Sequence, residues 1–469
     1  MQPVPPVRPP VTSPPGAPEV TPNTPTYSGA FGLREAERLL WRAGFGPSPG
    51  QARSLSAMGL AAAVRSLTRP VGAATLTGAA PTDEDGAPLA PNDAWGHDHG
   101  WWLDRMIRTD QPLIERMTLI WHDWFATSKV EAGQPLMLAQ NAMMRSNALG
   151  SFAELTLDVT ADPAMILWLN QNQNNRWSPN ENYARELMEL FTLGADRGAY
   201  TEIDVRELAR SLTGWTNDWS AELGNHSFRF AADHHDPGPK QVFGTTDNYD
   251  WRTAVGLCID HPMHASFFVE KLWSYFIPVA LPEVDRAELE RAYVAGGHSV
   301  RPIVEAILRH PLLHTGPRMV KQPVVFLAGM LRQRRRAIDT TAWAWLAEGA
   351  GQHLFMPPNV AGWDDDRWLD TSTLRARWLM VTYVLYGSEI VDAAMETYSA
   401  TETPAAAVAA ARTFWGDPQL TVEGVAALTE FAETCLPAAM ATWQEHNYRA
   451  NRQNALRQLL AVSPDLQTS

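Results

Sequence analysis

From Leu33 onward apolar residues recur at i, i+3, i+4 and i+7, and that period predicts helix after helix. The stretch from Pro112 carries Leu113, Met117, Ile120, Trp121 and Trp124 at helical spacing, which predicts a helix lying largely in the core. The run Ser178 to Gly194 is written like a complete helix. Ser178 is placed to cap it, Pro179 suits the first helical position, and Glu181 stands where a capping box needs a carboxylate. Gly194 supplies a left-handed stop. Tyr183, Leu187, Leu190 and Phe191 make one apolar stripe, while Asn182, Arg185, Glu186 and Glu189 make a polar one on another face. Thr201 predicts the N-cap of the next helix, with Glu202 and Asp204 in its first turn and Gly214 as its end.

Two stretches break the period. Residues 215–250 are rich in Asn, Asp, Gly and His, and alternating Phe228 and Phe230 predict at most a small β-hairpin there. Residues 351–370 read as a loop of Pro, Gly and Trp. The pattern therefore predicts an all-α fold, a single large multi-helical domain over 29–469 with long loops.

Composition narrows the function. The first 28 residues hold ten prolines, which predicts a disordered leader. It lacks the charged start and apolar core of a signal peptide. Such leaders commonly follow a removed signal or lipid anchor, so the expected location is periplasmic or extracellular. A formal net charge of −14 argues against a nucleic-acid partner, which would need a basic face. No run of about 18 apolar residues is present, so no transmembrane helix is expected. Cys258 and Cys435 stand alone without CxxC spacing, which excludes a Cys-ligated zinc or iron–sulfur site. Tryptophan, at 19 residues, outnumbers Phe and Tyr, and indole rings either fill cores or stack on sugar rings.

Several ordered strings stand out: Leu40-Trp-Arg-Ala-Gly-Phe-Gly46, Trp121-His-Asp-Trp-Phe-Ala-Thr-Ser128 and Asn180-Glu-Asn-Tyr-Ala-Arg-Glu186. Tyr200-Thr-Glu-Ile-Asp-Val205 and Leu212-Thr-Gly-Trp215 follow. Then come His235-Asp236, Lys240, Phe243-Gly244 and Pro357-Pro-Asn-Val-Ala-Gly-Trp363. Together they resemble the bacterial family filed as domain of unknown function 1800, across nearly the whole chain after the leader. The resemblance implies a helical, often exported protein and no particular reaction.

Candidate chemistry is read from the residues themselves. Acid/base work on a glycosidic bond needs two carboxyls, one with a raised pKa. Glu186 is the first choice, because Glu181 has a capping role and Glu189 can pair with Arg185. His235 and Asp236, with Lys240, offer a base beside a cation, and His122 lies between tryptophans. The expected catalytic set is Glu186, Glu181, His235, Asp236 and His122. Arg185, Asn182, Lys240, Tyr200, Trp215 and Trp363 are the expected substrate contacts, and no metal site and no cofactor is assigned. The 180–189 helix is expected to be central and largely buried, with Arg185 paired to a carboxylate. There is no phosphate loop, GxSxG elbow or HExxH.

The leading expectation is an exported or periplasmic hydrolase or lyase acting on a glycan-like or envelope polymer in a Trp-lined cleft. One alternative is a non-catalytic cell-envelope binding or assembly protein. Another is a metal-dependent enzyme using His122, His235 and nearby carboxylates.

Overall fold

The helical period is realised almost throughout. In the computed structural model, which describes residues 19–469, helices carry the fold, and the only strands among those residues form two antiparallel hairpins. Seven helices position the site: α1 (Leu33–Arg42), α2 (Pro112–Trp124), α3 (Asn182–Glu186), α4 (Glu202–Ser211), α5 (His264–Ser274), α6 (Pro323–Arg334) and α7 (Thr371–Leu385). Both hairpins lie in the 215–250 insert. There β1 (Trp215–Ser220) pairs with β2 (Gly224–Phe230), and β3 (Lys240–Val242) with β4 (Thr245–Asp247).

Residues 1–18 of the expected leader lie outside the described residues. For residues 19–28 the expectation of disorder does not hold. Glu19 pairs with Arg69 at 2.6 Å and Arg301 at 2.8 Å, and the Tyr27 N–H donates to the Arg309 carbonyl at 2.8 Å. Local composition could not reveal partners supplied by distant helices.

Helix α2 is buried on nearly every side, as its five large apolar residues demand. Leu113, Met117, Ile120, Trp121 and Trp124 enter one hydrophobic core, and Leu119 faces a second. Tryptophans therefore serve first as filling: Trp102, Trp121, Trp124, Trp273 and Trp343 are fully enclosed.

Helix α3 begins at Asn182, three residues after Pro179. Ser178 does not cap it, and asparagine side chains hold the turn leading in. Asn174 Oδ1 accepts the Asn180 N–H, and Asn180 Oδ1 accepts the Asn182 N–H, each at 2.9 Å. From Leu187 to Thr192 the helix widens into a π-turn. Its Leu190 and Phe191 carbonyls receive Lys271 Nζ and Trp124 Nε1, each at 3.0 Å. Gly194 then adopts the left-handed φ of +89° expected of it.

Residues 464–469 return to α1. Met319 and Ser469 exchange backbone hydrogen bonds at 2.8 and 2.9 Å, and the Lys321 N–H donates to the Gln467 carbonyl at 2.9 Å. Arg42 of α1 clamps this strip, donating to the Ser469 carbonyl at 2.6 Å and to its hydroxyl at 3.0 Å.

Candidate functional site

The polar face of α3 is only partly a site. Arg185 does pair with carboxylates, reaching Glu202 through both guanidinium nitrogens at 2.9 and 2.7 Å and Glu181 at 3.2 Å. The group faces water, with 65% of the Glu202 side chain exposed, while Tyr183, Ala184, Leu187 and Met188 bury the other side of the helix. Glu181 is thereby occupied by Arg185. Glu186 is half-buried. Burial and the neighbouring Glu189 raise its pKa, partly offset by Arg185. The Tyr200 hydroxyl sits 3.5 Å from Glu189, and burial followed by that carboxylate pushes its pKa up to about 12. Asn182 is exposed.

The second expected cluster is a set of internal ties. His235 Nδ1 bonds the Thr213 carbonyl at 2.9 Å. Asp236 accepts from Arg210 Nε and from the Gly238 N–H, each at 2.8 Å, while its own N–H donates to Thr213 Oγ1. Burial works against ionisation of Asp236, but Arg210 and the Gly238 N–H hold its pKa below the usual range. Lys240 is fully buried and donates to the Asp236 carbonyl, the Tyr249 carbonyl at 2.8 Å and Asn248 Oδ1 at 3.2 Å. Its three donors are thus all in use, and it is not an exposed substrate contact. Trp215 packs against Phe230 and Trp251 rather than lining a cleft.

These two clusters sit at opposite ends of α4. Glu202 meets Arg185 at its start and Arg210 meets Asp236 near its end, about 12 Å apart at 1.5 Å per residue. His122 is elsewhere again, enclosed by Trp102, Phe355 and Trp363 at ring distances of 5.4, 5.7 and 5.4 Å. Burial drives its pKa down to about 3, so the ring is neutral. Trp363 is buried beside it and serves this cage.

Among the described residues no group of three or more His, Cys, Asp or Glu is placed to hold a metal ion. The metal-dependent expectation based on His122 and His235 therefore loses its ligand set. Cys258 and Cys435 are both free thiols.

Sequence reasoning missed the pocket that does combine concavity with displaced pKa values. It is half-open, with about 840 Å³ of empty space including its mouth, between α1, α6 and the returning strip 464–469. Arg34, Glu37, Arg38 and Trp41 recur at i, i+3, i+4 and i+7, so one face of α1 forms a wall. The opposite face of α1 buries Ala36, Leu39 and Leu40. The Trp41 ring packs against α6 at Gly329, where a Cβ would come within 2.1 Å of it. Trp415 lines the pocket as well.

Lys321 lies at the base of this pocket, only 4% exposed. Its Nζ donates to the Leu466 carbonyl at 2.6 Å and sits 3.6 Å from the centre of the Trp41 ring. Burial lowers its pKa to about 7, although Glu37 pulls the other way. Glu37 is raised by burial, against the opposing effects of Lys321, the Gln419 backbone and the Trp41 side chain. The signal for Glu37 was its spacing from Arg34 and Trp41. Lys321 gave none, being a single cation between Val320 and Gln322.

The remaining strings pack together. The Trp363 N–H donates to Asp123 Oδ1 at 2.9 Å, and the Tyr275 hydroxyl donates to Oδ2 at 2.7 Å. Asp204 accepts the Phe243 N–H at 2.7 Å and closes a capping box with Thr201. The family model described as "Protein of unknown function (DUF1800)" matches residues 38–468. The chain belongs to that family. No curated protein and no solved structure matches the chain.

Proposed function

We propose that this protein is an exported acid/base enzyme, a hydrolase or lyase of a glycan-like polymer, whose reacting groups are Lys321 and Glu37. The observation that carries the reading is a lysine brought to about pH 7 facing the same pocket as a carboxyl of raised pKa. Displacements of opposite sense in one cleft favour an uncharged amine as base and an undissociated carboxyl as acid. A neutral lysine has two N–H donors and one lone pair. The Leu466 carbonyl and the face of Trp41 can take the two donors, leaving the lone pair for a substrate proton. Glu37 in its protonated form can deliver a proton to a leaving oxygen. Trp41 and Trp415 add apolar surface to the pocket wall.

The test is turnover of an extracted envelope or glycan pool by the whole chain and by Lys321→Met and Glu37→Gln. Loss of turnover in both variants, with folding intact by circular dichroism, is expected. Retained turnover in folded Lys321→Met and Glu37→Gln proteins would remove the site.

A second reading, a non-catalytic envelope binding or assembly protein, is favoured by the internal satisfaction of His235, Asp236 and Lys240. Saturable binding of the pool without any product would favour it. Export itself is tested by fractionation of the native host, where a cytoplasmic protein would contradict the proposed location.

A further inference from the structure

The pocket is more cationic than an acid/base pair requires. The guanidinium groups of Arg34, Arg38 and Arg318 line it, beside the amine of Lys321, against the carboxyls of Glu37 and Asp465. Asp465 is already engaged by Arg318 at 2.9 Å and by the N–H and hydroxyl of Thr421 at 2.9 and 3.0 Å. Arg42 and Arg377 add their fields to that of Arg318 against Lys321. Arg34 and Arg318 likewise oppose the charge on Arg38. Arg38 donates to the carbonyls of Gly316 and Pro317 at 2.7 and 2.5 Å and leaves its buried Nε without a partner. Arg34 stands exposed at the mouth. In a chain of net charge −14, this concavity is a local positive field that draws anions.

We infer that the pocket takes a carboxylated sugar, the repeat of a polyuronate, and that the chain cleaves it by β-elimination. The inference rests on the acid/base reading and adds substrate class and reaction type. A neutral sugar would displace water from these cations and return only hydroxyl contacts, whereas a carboxylate matches the guanidinium fork of Arg34. The indoles of Trp41 and Trp415 add apolar surface beside the ring that carries it.

The balance of the step is complete within these groups. Lys321 Nζ takes the proton from the ring carbon bearing the carboxylate. The electron pair of that C–H bond forms a carbon–carbon double bond to the adjacent carbon. The glycosidic C–O bond on that carbon breaks, and its oxygen receives the proton of Glu37. Arg34 offsets the charge that builds on the carboxylate as the C–H bond opens. No water and no oxidant is consumed. Lys321 finishes as ammonium and Glu37 as carboxylate, and exchange with solvent through the open mouth restores both.

The experiment incubates the whole chain with polygalacturonate and, separately, with neutral galactan. Products are read by mass and by the ultraviolet absorbance of the conjugated double bond. Unsaturated products from polygalacturonate alone are expected, lost in Glu37→Gln and in Lys321→Met. A fall of about tenfold in kcat/KM is expected in Arg34→Ala. Free galacturonate should quench tryptophan fluorescence where galactose does not, and Arg34→Ala should weaken that quenching. Products heavier by one water would overturn elimination while leaving the acid/base reading standing. Galactan cleaved as well as polygalacturonate would overturn the preference for an anion. Neither turnover nor quenching with the uronates, while the envelope pool is still processed, would overturn both parts of the inference. Inertness toward all three materials would take the proposed function down with it.

Discussion

The backbone N–H of Trp363 is fixed to Oδ1 of Asp123 at 2.9 Å, joining two segments 240 positions apart. Gly362 makes that approach feasible. Its φ is +92°, and a Cβ there would lie 2.3 Å from the same oxygen. Gly362→Ala should therefore destabilise by about 2–4 kcal/mol, combining a disfavoured backbone angle with overpacking. The check is the denaturant midpoint. A midpoint equal to that of the parent would mean that the 351–370 loop does not press on α2.

Arg185→Ala should have a small effect, about 0–1 kcal/mol, because Arg185, Glu181 and Glu202 face water. Added salt should shrink it further. A loss of several kcal/mol would show that this face is covered in solution.

His122 is neutral and encaged by aromatic rings, so His122→Phe should keep stability within about 1.5 kcal/mol at neutral pH. The sign of its pH effect follows from a folded pKa of about 3 against an ordinary 6.5. The unfolded chain binds a proton in that interval and the folded one does not, so stability is lost as pH falls from 6.5 towards 3. The Phe variant should show a shallower acid decline. Identical acid unfolding curves would contradict the burial of this ring.

Lys321 gives the opposite end of the pH scale. Its pKa is lowered from 10.5 to about 7, so between those values the unfolded chain holds a proton that the folded chain lacks. Stability from this group rises with pH across about 7 to 10.5 and is flat below 7. Glu37, a carboxyl with a raised pKa, titrates from the acid side and acts in the reverse sense. Unfolding midpoints of the parent and Lys321→Met, measured at intervals across that window, should converge as pH rises. Parallel curves would mean that Lys321 is solvated.

The helices were legible because each one repeats its own apolar period, and α2 and the Thr201–Asp204 capping box follow directly from local residues. The start of α3 was not, because the turn leading into it is held by Asn174 and Asn180 and not by the adjacent Ser178. His235, Asp236 and Lys240 looked like a site because their chemistry is visible in one dimension and their satisfaction is not. Thr213, Arg210 and the Tyr249 carbonyl occupy them only once the insert folds back on α4. Glu37 and Lys321 posed the converse problem. Each is unremarkable alone, and only burial in a shared pocket displaces their proton affinities.

The strip 464–469 closes against α1 through Arg42 and Ser469, residues separated by 427 positions. On a ribosome α1 is made long before the strip that completes the wall around Lys321. A nascent chain can thus bury much of its helical core before the wall around Lys321 exists. The pocket around Lys321 is complete only once the long loop between Arg42 and Ser469 has been closed.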